Sequence, residues 1–192
     1  MIDRIINETL GAVNAIIKGV DDIITSLTGV VKNQVVNALQ SVGEVGTTTI
    51  EVVASVASGA IKGAGQVGGD IVDTSAKVMT GIVEGASQVG GDVLESIEGG
   101  AQGIIKGVSD TGGDISVAAV STVQGAVNAV KDTSVDTVGA VNAAVSGTLD
   151  SATNIGGDAV STVRSALLSA SALPRDVVES AIKGYDEKNK KD

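Results

Sequence analysis

Residues 66–72 read Gln-Val-Gly-Gly-Asp-Ile-Val, and variants of the stretch return at 88–94 (QVGGDVL), 110–116 (DTGGDIS) and 154–160 (NIGGDAV). The aspartates of these segments, Asp70, Asp92, Asp114 and Asp158, are 22, 22 and 44 residues apart, with no insertion or deletion between them. Spacing this regular marks an internal repeat, and half of 22 is the period to test next. Cut into elevens from Met1, the chain gives 17 blocks ending at Glu187.

Counted by column, positions 1, 2, 5, 6 and 9 of the eleven hold 64 aliphatic residues in 85 places, against 17 in 102 for the other six columns. None of the 32 charged residues in the blocks falls in those five columns. Eleven residues over three helical turns advance by about 98° each, so the five columns form one continuous arc of about 130°. They show none of the period-two alternation of a half-buried strand. The expected fold is therefore all-α: one very long amphipathic helix, continuous over residues 1–173. Pro174 breaks it before a last repeat segment, 174–187, and residues 188–192 form a polar tail. The rival is a β-solenoid with 22-residue coils and Gly-Gly-Asp turns, which accounts for the 22-residue beat but not for the shared columns of intervening elevens.

Such a helix would be about 280 Å long and unstable alone in water. The chain has 26 glycines, and at about 1 kcal/mol each relative to alanine they cost on the order of 25 kcal/mol. Covering the apolar arc offsets this, so the arc requires other helices or lipid. With 3.67 residues per turn, helices winding together would form a right-handed bundle, tube or filament. Small residues four apart, as in Gly81/Gly85 and Gly103/Gly107, let backbones approach closely. Five glycines of the alternate elevens, Gly46, Gly68, Gly90, Gly112 and Gly156, fall in apolar column 2 and are candidates for the same close packing.

Composition excludes much chemistry. With no His and no Cys, Ser-His-Asp and Cys-His arrangements and the common zinc sites are absent. Gly63-Ala-Gly-Gln-Val-Gly68 matches G-x-G-x-x-G, but it lies in a glycine-rich repeat without a βαβ context, so no nucleotide or other cofactor is expected. Asp70, Asp92, Asp114, Asp136 and Asp158 would lie about 33 Å apart along one helix, too far to share an ion, and read as a solvated acidic stripe. A net charge of −10, without a basic stripe, argues against nucleic acid. The start of the chain has no signal-peptide pattern. The longest uncharged run, 115–130, is 16 residues, short of a standard transmembrane span.

Thr122-Val-Gln-Gly-Ala-Val-Asn-Ala-Val-Lys-Asp-Thr133 and Gly11-Ala-Val-Asn-Ala-Ile-Ile-Lys18 resemble the 11-residue amphipathic repeats of perilipins and, more loosely, of synucleins. The resemblance spans almost the whole chain and implies a helix that forms on a lipid-droplet or membrane surface. Two functions are thus expected: a non-enzymatic structural protein that self-assembles through its apolar face, or an amphipathic helix coating lipid.

Overall fold

The computed structural model describes residues 20–45 and 48–190. Among the described residues the regular elements are eight α-helices: α1 (Val20–Val45), α2 (Thr49–Gln66), α3 (Ile71–Gln88), α4 (Val93–Asp110), α5 (Ile115–Ala129), α6 (Thr137–Ile155), α7 (Ala159–Ser169) and α8 (Arg175–Asn189). The chain is all-α, as its periodicity predicts, but it is not one very long helix. The 22-residue beat is that of a helix plus its turn, and no strand of a β-solenoid occurs among the described residues.

The difference arises at the quoted motif. Val67 ends α2, Gly68 and Gly69 turn the chain, and Asp70 caps α3. Gly68 has φ +77°, and its amide donates to the Gly65 carbonyl (3.2 Å) while that of Gly69 donates to Ala64 (2.9 Å). This pair of bonds is the Schellman stop, which needs a left-handed residue that glycine adopts without a Cβ clash. The same pair closes α3 at Gly90 and Gly91 and α4 at Gly112 and Gly113. Each stop is followed at once by an aspartate that starts the next helix.

Helices two apart in sequence pack side by side and parallel, forming one row of α1, α3, α5 and α7 and another of α2, α4, α6 and α8. Consecutive helices pack across the rows, so each turn carries the chain from one row to the other. The apolar columns meet in the space between, where Val31, Val56, Ile82, Ile104, Val123 and Leu149 are fully buried. The arc is thus covered by the chain's own helices.

Within each row, helices touch along glycine. A Cβ placed on Gly99 would lie 2.5 Å from the Ile50 carbonyl oxygen, and one on Gly81 2.6 Å from that of Thr28. At Gly103 and Gly147 it would run into the carbonyls of Ala54 and Glu98. The close approach anticipated for Gly81/Gly85 and Gly103/Gly107 is present, between helices of one chain. Gly81, Gly103, Gly125 and Gly147 are themselves 22 residues apart, each eleven after a capping aspartate.

Pro174 is the N-cap of α8, and the turn before it separates α8 from α7. Between residues 20 and 173 the described residues therefore form several helices rather than a continuous one, and α8 extends to Asn189, into the stretch expected to be tail. Residues 1–19, 46–47 and 191–192, including the repeat at 11–18 and Gly46, lie outside the described residues.

Glycine substitutions separate the two environments. Gly103→Ala is expected to lower unfolding free energy by about 1–3 kcal/mol through overpacking. Gly29→Ala, in α1 with open space around it, should raise it by about 0.5–1 kcal/mol through helix propensity. Urea titrations followed by far-UV circular dichroism read both.

Candidate functional site

The residues singled out by the repeat form the framework of the fold rather than one site. Gly68, Gly90, Gly112 and Gly156 have φ between +66° and +81°, and a Cβ on any of them would meet nothing within 4 Å. They are turn residues chosen for backbone conformation, not the close-packing positions expected of them. Close packing belongs instead to columns 4, 8 and 11 of the helices.

The aspartates are not a stripe along one helix. Asp70, Asp92, Asp114 and Asp136 each accept a hydrogen bond from the first turn of the helix that follows, at 3.0 Å from the Asp73 amide, 3.0 Å from Glu95, 2.9 Å from Ser116 and 2.9 Å from Gly139. Asp158 holds the same position for α7 without such a bond. Because the rows run in opposite directions, Asp70, Asp114 and Asp158 fall on one edge of the stack and Asp92 and Asp136 on the other. Backbone amides and the positive helix end hold the carboxylates of Asp70, Asp92, Asp114 and Asp136, and no cluster of three or more metal-ligating side chains occurs among the described residues.

The polar surface with most structure is the outer face of the even row. Lys62 on α2 reaches Asp110 on α4 at 2.7 Å, and Lys106 reaches the same carboxylate at 3.5 Å. Gln102 on α4 donates to Asp150 on α6 (3.3 Å), which also accepts from the Tyr185 hydroxyl on α8 (2.9 Å). Arg164 on α7 clasps Asp186 on α8 through both terminal nitrogens. The ties among α2, α4, α6 and α8 run along the even row helix by helix, whereas Arg164–Asp186 joins the two rows. Between them run two adjoining open grooves. One, of about 340 Å³, is lined by Gln102, Lys106, Asp110, Ser151 and Asn154; the other, of about 490 Å³, by Asp150, Arg164, Tyr185 and Asp186. Gln102 and Asn154 border both.

Electrostatics sets the tone of this face. Burial pushes the Asp110 carboxyl up, but hydrogen bonding and charge from Lys62, then Lys106, outweigh it and hold the group below its usual range. The bond from Arg164 lowers Asp186 in the same way. Glu98 moves the other way: burial first, then the nearby Asp150 charge, raise it. Every carboxylate in the ladder is engaged by a cation, amide or hydroxyl, so the face holds fixed hydrogen-bonding groups rather than a nucleophile and base in reach of each other.

The sequence reading missed this ladder, whose partners are 48 residues apart for Lys62–Asp110 and Gln102–Asp150. The signal was present in columns 3, 7 and 11, which place polar residues on equivalent turns of every second helix. The turns were also legible: Gly-Gly-Asp joins a helix stop to a helix start.

Two results are expected. Gly90→Asn should be better tolerated than Gly90→Val despite similar bulk, because asparagine enters the left-handed region more readily; thermal melts check the order. Glu98 has its folded-state pKa raised, so its contribution to stability is full below the ordinary carboxylate value and is lost as pH rises through the folded value. Glu98→Gln should therefore stabilise the protein at pH 7, by under about 1 kcal/mol given solvent screening, and give no gain near pH 3 in urea titrations. Compared with known proteins, the chain matches no family model and no curated protein.

Proposed function

We propose that this chain is a non-enzymatic structural protein that works as a self-contained helical scaffold. The observation that carries the reading is the fate of the apolar arc, which the chain's own helices cover along two rows of close-packed glycine contacts. What remains outward is largely polar, a ladder of ion pairs, amides and hydroxyls with capped helix ends, interrupted among the described residues by exposed Val72, Leu94, Val117, Val138 and Ile155. A stack of near-identical units with an extended polar face suits the display or spacing of other molecules. Self-assembly through the apolar arc has a weaker basis, because forming such contacts would mean opening contacts already made.

A second reading, contact with a lipid surface, is favoured by one observation. The eleven-residue phase passes through every turn without slipping, so straightening the turns would merge the helices' arcs into one long apolar face. No described helix is long and apolar enough to cross a membrane, so this contact would lie along the surface.

Light scattering after gel filtration, with circular dichroism in the presence and absence of a neutral-lipid emulsion, tests the proposal. A helical monomer that unfolds cooperatively without lipid, and is unchanged by it, is the expected outcome. Large helical particles without lipid would favour self-assembly, and a coil that turns helical only on the emulsion would favour the lipid coat.

A further inference from the structure

Beside the turns stand aliphatic residues that the core does not take up. The large apolar side chains exposed among the described residues, Val72, Leu94, Val117, Val138 and Ile155, each lie within three residues of an aspartate that opens a helix. Leu94 and Val138 occupy column 6 of the repeat. Eleven residues on, in the same two helices, that column holds Ile105 and Leu149, both fully buried, so it is their place in the first turn that exposes Leu94 and Val138.

Leu94 on α4 and Val138 on α6 are 44 residues apart and share one edge of the stack, as neighbours in the even row. A Cβ on Gly139 would lie 3.4 Å from both terminal methyls of Leu94, so the two first turns meet there. Ile50, half-buried at the start of α2, continues the file by the same 44-residue step. Carboxylates flank it: Glu51, Asp92, Glu95, Asp132 and Asp136 lie on this edge. The cations described beside them are engaged, Lys131 by the Asn128 side-chain oxygen at 2.7 Å and Arg175 by Glu179 at 2.7 Å. The opposite edge repeats the pattern with Val72, Val117 and Ile155. There, however, Asp73 pairs with Lys77 at 3.8 Å and Asp110 with Lys62 at 2.7 Å, so its charge is better matched.

We propose that the edge carrying Leu94 and Val138 docks a cationic segment of another protein whose aliphatic anchors stand one helix spacing apart. The apolar file supplies contact that removes exposed side chains from water, and the carboxylates select the sign of the partner's charge and speed its encounter. Neighbouring helices pack about 9 Å apart, close to the roughly 10 Å between leucines seven residues apart on a helix. The same carboxylates repel nucleic acid and anionic membrane surfaces. A second copy of this chain, at a net charge of −10, would bring like charge against like. The inference rests on the scaffold reading, because it needs the folded stack, and adds to it the class of molecule displayed.

The probe is an amphipathic lysine–leucine peptide titrated into the isotope-labelled full chain, with backbone amide shifts read by NMR. Shifts are expected to concentrate on residues 89–95 and 135–139. A lysine–serine peptide of equal charge should bind about tenfold more weakly, and Leu94→Ser/Val138→Ser should weaken the leucine peptide about tenfold, while Val72→Ser/Val117→Ser leaves its affinity unchanged. Raising salt from about 0.05 M to about 0.5 M should weaken binding through screening. Equal binding of the two peptides, shifts spread over the acidic surface or centred on the opposite edge, or the same residues answering phosphatidylcholine vesicles instead of peptide would overturn the assignment. Circular dichroism of the same samples tells the two readings apart: an unfolded chain overturns both, whereas a folded chain without shifts overturns the docking alone. Should the Leu94→Ser/Val138→Ser variant lose its helical signal, the shift map of the unmodified chain decides.

Discussion

Backbone contact between parallel helices is the constraint from which the rest follows. At Gly99, Gly103 and Gly147 the carbonyl oxygen of the helix two earlier occupies the space that a Cβ would need. Such an approach brings two helix surfaces together with little between them, so dispersion accumulates along the ridge without large side chains. It also explains the composition. A core built of Val, Ala and Ile, with Tyr185 the one aromatic residue of the chain, needs short distances to be dense.

The turns follow from the same economy of space. Rows held at glycine distance favour short connections, and Val-Gly-Gly-Asp provides helix stop, reversal and helix start in four residues. Where the motif is altered, the structure is altered with it. The connection between α5 and α6 lacks glycine and runs through Lys131-Asp-Thr-Ser-Val, closed by a Thr133 amide bond to the Val130 carbonyl at 3.0 Å. After α6 the glycine ridge ends: α7 has no glycine, Gly184 of α8 has open space about it, and polar ties from Tyr185 and Asp186 help hold that helix.

Glycine therefore serves two opposed purposes at 22-residue intervals in one chain, and the contrast bears on reading repeats of this kind. Gly90 is needed for its φ and has room around it, whereas Gly103 is ordinary helix with no room at all. Gly90 lies in apolar column 2 and Gly103 in column 4, outside the arc, so their columns differ. Their neighbours differ too. Gly90 is followed by a second glycine and a capping aspartate, while Gly103 stands in Gln102-Gly-Ile-Ile-Lys106 with another small residue one turn away.

Helical class, the eleven-residue phase and the apolar columns were legible in the sequence, because periodicity and composition are local properties of a chain. The close approach at Gly81/Gly85 and Gly103/Gly107 was legible for the same reason. Whether the helix ran on or folded back was also written locally, in Gly-Gly-Asp, but periodicity alone masked it: a repeat of 22 is two elevens, so four turn residues leave the phase intact. Tertiary structure decided what covers the arc. That choice depends on which surfaces meet across 44 to 49 residues, as in Lys62–Asp110 and Gly103–Ala54, and on the fact that a chain reversing every 22 residues has its best partner in itself.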